Sequence, residues 1–151
     1  MLKKVGLGLL VVFIVCQFFT IDKSVPEHTK EEDFFTHHVA TEELQILIES
    51  ACYDCHSYKT EYPFYSNIAP ISWWLAEHIE DGRKHLNFSK WTTYSDKKAD
   101  HKLEECVEEL EKGEMPLEEY TYTHAEAKLN EEQRELLMIW FKAQRQQYKV
   151  N

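Results

Sequence analysis

The chain has 151 residues, a length that fits one domain, and a formal net charge of −10 at pH 7. That balance argues against a nucleic-acid partner, because phosphate binding needs clustered Lys and Arg. A 43% hydrophobic and 29% charged composition predicts a packed globule rather than disorder, and only four Gly and four Pro disfavour a turn-rich all-β fold.

Met1-Leu2-Lys3-Lys4 is a short basic start, and Val5 to Ile21 is nearly all apolar, broken only by Gln17 and Thr20. Positive charge before an apolar run reads as an export signal or signal anchor with its Lys side in the cytoplasm. No small-x-small cleavage site follows, so residues 1–21 are expected to remain as a membrane anchor helix. Cys16 is a poor lipidation site because Val15, not a small residue, precedes it. Residues 22–40 hold Pro26 and the cluster Glu31-Glu32-Asp33, and read as a polar tether. Phe34 and Phe35 are candidates to dock on the domain, and His37 and His38 read as solvated.

The domain proper is expected over 41–151. Thr41-Glu42-Glu43 supplies an N-cap hydroxyl and acids for a first turn, and Leu44, Leu47, Ile48 and Ala51 recur at helical spacing. A second helix is predicted from about Pro70, with Ile71, Trp74, Leu75 and His78 on one face. Asn87 to Tyr94 reads as a loop. A third helix is predicted over Asp96 to Lys112, with Leu103, Cys106, Val107 and Leu110 as its apolar stripe and Gly113 as its C-cap. Asn130 and Gln133 form a capping box for a last helix, whose inner face is Leu136, Leu137, Trp140, Phe141 and Gln144. The expected fold is a small all-α domain of about four helices behind the anchor.

The first helix runs into Cys52-Tyr-Asp-Cys55-His56, and C-x-x-C-H is the mark of c-type haem attachment. Residues three apart share a side of a helix, so both thiols can add to the two vinyl groups on one porphyrin edge. His56 then follows beneath the ring as an axial ligand to iron. A thioredoxin-like redox pair would need a βαβ setting. A structural zinc would need a second ligand pair, and Cys106 and His101 are five apart, an unusual spacing. A disulfide between residues three apart would close only a small loop. For the second axial position Met115 is the candidate, in the non-helical turn Gly113-Glu-Met-Pro116; the alternative for it is a gap-filling core methionine. His78 is the rival ligand. His85, His101 and His124 read as surface residues, and Cys106 as a buried, inert thiol.

Further blocks carry a resemblance. Cys52-Tyr-Asp-Cys-His56, Tyr62-Pro-Phe-Tyr-Ser-Asn-Ile-Ala-Pro-Ile-Ser-Trp-Trp-Leu-Ala-Glu-His78, Gly82-Arg83, Asn87-Phe-Ser-x-Trp91 and Gly113-Glu-Met-Pro-Leu117 with Tyr120 resemble the haem-binding domain family of exported bacterial proteins. The resemblance spans Thr41 to Tyr148. It implies a cytochrome-c-like domain with one haem c per chain, covalently held by Cys52 and Cys55 with His56 as proximal ligand, and it supports Met115 as distal ligand. Beside it, Trp73 or Trp74 reads as lining the haem pocket or as ordinary core. Arg83 reads as a propionate partner or as a solvated residue at a helix end. Tyr62 and Tyr65 are candidate propionate donors.

No nucleophile–base set, P-loop or dinucleotide fingerprint is visible. The chain is therefore read as an electron carrier rather than an enzyme, anchored in the inner membrane with its domain in the periplasm. A haem-based sensor or a peroxidase-type enzyme are the alternatives. Eight glutamates between Glu104 and Glu119 flank Met115 in sequence, which predicts a solvated acidic face or an acidic rim suited to a basic redox partner.

Overall fold

The computed structural model describes residues 1–149, so the last two residues of the expected 41–151 domain lie outside it. Helix α1 runs Leu2–Cys16 and buries none of its side chains. It is shorter than the anchor expected over 1–21: at about 1.5 Å per residue its 15 residues reach ~22 Å, against ~30 Å of bilayer hydrocarbon. Among the described residues no helix is long and apolar enough to cross a membrane. α1 stops where Gln17 turns its carboxamide onto the backbone of Ala69, donating to the carbonyl at 3.0 Å and accepting from the amide at 3.0 Å.

The segment expected as a tether is pinned at both ends. Lys23 Nζ donates to Ser66 Oγ and Asn67 Oδ1, each at 2.8 Å. From Asp33 onward the chain belongs to the core. Asp33 caps the short α2 (Phe34–His37) through the Phe35 amide, and its buried carboxylate also accepts from Tyr53 Oη and pairs with Lys59 at 2.7 Å. Phe34 is fully buried among Phe88, Trp91 and Trp140. His38 is not solvated: docking of Phe34 carries it inside, against Phe34 and Trp91. His37 stays exposed.

Thr41 Oγ1 caps α3 (Glu42–Ile48) by accepting from Leu44 N. A π-helical segment, Glu49–Tyr53, and the short α4 (Asp54–His56) continue the run. α5 (Ile71–His85) follows, then the short 3-10 stretch Phe88–Thr93, α6 (Asp96–Lys112), α7 (Glu118–Thr121) and α8 (Glu131–Gln144). Taking α3 through α4 as one, the described residues are all-α with about seven helices, against the four expected behind an anchor helix, and no strand forms among them. The additional pieces are α2 and α7, single-turn helices that apolar periodicity does not mark. Ser95 and left-handed Gly113 (φ 75°) bound α6 at the predicted ends. The Asn130–Gln133 capping box forms as predicted.

Three face assignments change. Phe88 and Trp91, expected in a loop, are core residues, because the 3-10 turn points both inward. Leu136 and Ile71 lie on solvent-facing sides of α8 and α5, leaving Leu137 and Phe141, and Leu75 and Ile79, as the buried positions. α6 packs along α8, and α5 crosses α4. The gap between these two pairs becomes the site.

Candidate functional site

The π-helical segment sets the direction of the Cys52 motif. Its widened turn sends Ala51 and Tyr53 into the core, while Cys52, Cys55 and His56 line a cavity of about 820 Å³. α5 approaches the motif so closely that a Cβ on Gly82 would lie 2.7 Å from the Cys55 carbonyl oxygen. Only glycine admits that contact. The approach delivers two carbonyls to the imidazole: His56 Nδ1 lies 3.0 Å from Gly82 O and 3.3 Å from Leu86 O. Two acceptors on one nitrogen place the proton on Nδ1 and leave the Nε2 lone pair free for a metal. Burial lowers the affinity of the ring for a second proton, which keeps it in the neutral, ligating form.

Burial also raises both thiols, Cys52 to about 12 and Cys55 to about 11. The neighbouring Asp54 carboxylate adds to the rise at Cys55. Thiol–disulfide exchange needs a thiol with a lowered pKa, so this pair is ill-suited to it. Among the described residues no three His, Cys, Asp or Glu side chains converge on a metal position, so none forms the four-ligand zinc site that Cys106 and His101 would have had to complete.

Met115 stands on the cavity wall with Pro116 and Leu117. Its loop is fastened by Arg134, whose Nη1 donates to Leu110 O at 2.9 Å and Met115 O at 3.3 Å. The cavity therefore gathers the thiols of Cys52, Cys55 and Cys106, the His56 imidazole with its free nitrogen and the Met115 thioether, with Leu86, Leu110 and Phe141 as apolar wall. This donor set and volume fit a haem. Trp74 and His78 also line the cavity from α5, their rings 4.1 Å apart and His78 Nδ1 2.8 Å from Trp74 O.

Other expected residues lie elsewhere. Arg83 points behind the motif: Nε donates to Ser57 O and Nη2 to Thr60 Oγ1, each at 2.8 Å, and its guanidinium stacks over Tyr58. It braces the loop after His56 and does not line the cavity. Tyr65 bonds Thr123 and His124, and Tyr62 lies under Lys23, both off the cavity wall. Trp73 faces away from the cavity, donating to Phe19 O at 2.7 Å. Cys106 reaches the wall instead of closing into the core, and burial raises its thiol strongly.

Sequence reasoning missed Tyr120 as a site residue. It lines the cavity and donates to Asp54 Oδ2 at 2.7 Å, clasping the Met115 side of the cavity to the cysteine side. Its place in the Gly113–Tyr120 block was the available signal. Glu77, Asp81, Glu105, Glu108 and Glu109 stand round the cavity against Lys102, His78 and His85, so the rim is acidic.

A sequence model described as a haem-binding domain matches residues 11–143. No curated protein and no solved structure matches the chain.

Proposed function

Because the chain belongs to the haem-binding domain family, we propose that it is a membrane-tethered cytochrome carrying one covalent haem c and transferring single electrons on the periplasmic side of the inner membrane. The observation that carries this reading is the His56 ring, bonded through Nδ1 to Gly82 and Leu86 with Nε2 free, in one cavity with Cys52, Cys55 and Met115. When bound, haem iron supplies a reversible one-electron couple, whose potential imidazole–thioether ligation raises. Cys52 and Cys55 would hold the haem as thioethers, each thiol adding across a vinyl group. His56 presents its nitrogen from one side, and Met115 its sulfur from the loop that Arg134 fastens. Were His56 and Met115 both to bind the iron, a carrier would be favoured over a sensor or a peroxidase, each of which needs an open position. His78 is the rival to Met115.

The acidic rim repels acidic partners and steers a basic redox protein, so the exchange rate should fall as ionic strength rises. A rate indifferent to salt would remove the basic partner from this reading. The cofactor assignment is tested by boiling in denaturant. The red colour should stay with the chain, and should leave a Cys52→Ala/Cys55→Ala variant. Met115→Ala should keep the colour but lose the sulfur-to-iron charge-transfer band. An unchanged spectrum would move the distal role to His78.

A further inference from the structure

From Val5 onward α1 is apolar around its whole circumference, with Leu7, Leu9, Val12 and Phe13 all exposed. A helix that docks in a protein groove needs one apolar face; one apolar on every side calls for a surrounding apolar medium. The domain carries a matching feature at the point where α1 meets it. Phe18 and Phe19 follow the helix and are exposed, Phe64 is 80% exposed, and the exposed Ile71 and Trp73 open α5. Trp73 joins the two parts directly through its bond to Phe19 O. Trp73, apolar along its ring and polar at its indole N–H, suits the headgroup level of a bilayer, and the exposed rings of Phe18, Phe19 and Phe64 suit the apolar layer just beneath it. The joint is also rigid by construction: the paired Gln17–Ala69 bonds and the Lys23 bonds to Ser66 and Asn67 fix α1 against the residues before α5.

From this geometry we propose that the domain does not swing on a tether but seats on the lipid surface. Phe18, Phe19, Phe64 and Trp73 form the seat, and α1 is sunk in the bilayer. The proposal rests on the membrane reading above and adds a fixed orientation to it. Trp74 and His78, which line the cavity, follow Trp73 on the same helix, so the seat holds the α5 side of the cavity near the headgroups.

The test uses the full haem-loaded chain in phosphatidylcholine–phosphatidylglycerol vesicles containing a diazirine-labelled lipid, with adducts mapped by mass spectrometry after flotation. Adducts are expected on α1 and also on Phe18, Phe19, Phe64 and Trp73. Gln17→Leu should keep the α1 adducts while those at Phe64 and Trp73 fall roughly tenfold, because both bonds to Ala69 are lost. Adducts confined to α1 in the unaltered chain would overturn the seat and leave the membrane tether standing. A chain that does not float with the vesicles would overturn the tether, and the seat with it.

Discussion

At the scale of single residues, Gly82 does two things at once. The absence of a Cβ lets α5 touch the Cys55 backbone, and the Gly82 carbonyl turns the His56 ring. Gly82→Ala would place a methyl 2.7 Å from a backbone oxygen that cannot swing away. The expected cost is about 1–3 kcal/mol, read from urea unfolding, with a shifted iron–imidazole vibration in the loaded protein. An unchanged vibration would mean that Leu86 alone orients the ring. None of this was visible in the order of residues. Gly82 stood within a recognisable block, but nothing local explains a glycine inside a helix that packs against a motif 26 positions away. By contrast, that Cys52, Cys55 and His56 would share one site was legible, because they are neighbours in the chain, and all three line the cavity. Arg83 was expected at a propionate or in solvent; it bonds Ser57 O and Thr60 Oγ1 instead, since a guanidinium satisfies carbonyl and hydroxyl oxygens as well as carboxylates.

At the scale of elements, α6 and the start of α8 could be read directly, since a cap, a stripe and a left-handed glycine are local signals. The four-residue α2 could not. Its turn is too short to show a period, and its burial depends on a socket built by Phe88, Trp91 and Trp140, all distant in sequence. The π-helical segment was hidden for a related reason: one extra residue in a turn barely disturbs apolar spacing, yet it redirects every side chain after it. Phe34→Ala is expected to destabilise the fold by about 3–5 kcal/mol in urea unfolding, as a fully buried aromatic should. A loss below 1 kcal/mol would show that α2 is an appendage.

At the scale of the whole molecule, His38 links the two ends of the domain. Trp91 Nε1 donates to Tyr148 Oη at 2.8 Å, Tyr148 meets His38 Nε2 at 2.8 Å, and His38 Nδ1 lies 3.1 Å from Gln144 Oε1. This chain of bonds needs a neutral ring, and burial holds the His38 pKa down to about 4. The unfolded chain, with a histidine pKa near 6.5, therefore takes up its proton first. Stability from this group is full above pH 6.5 and is lost as pH falls toward 4, by an amount on the order of 2 kcal/mol. Urea unfolding at pH 7.5 and pH 5 should show the drop, and His38→Asn should flatten it.

The packing of Asp33, Phe34 and His38 also decides how the protein can be dissected. A fragment begun at residue 41, where the helical pattern first becomes regular, would leave an empty aromatic socket and strip Tyr53 and Lys59 of their shared carboxylate. Residues 24–31 are exposed and lie between the Lys23 clamp and that socket. A cut there removes α1, Phe18 and Phe19 while leaving Phe64, Trp73, the cavity and the core in one piece, and defines the shortest piece whose spectrum and potential would still describe the parent chain.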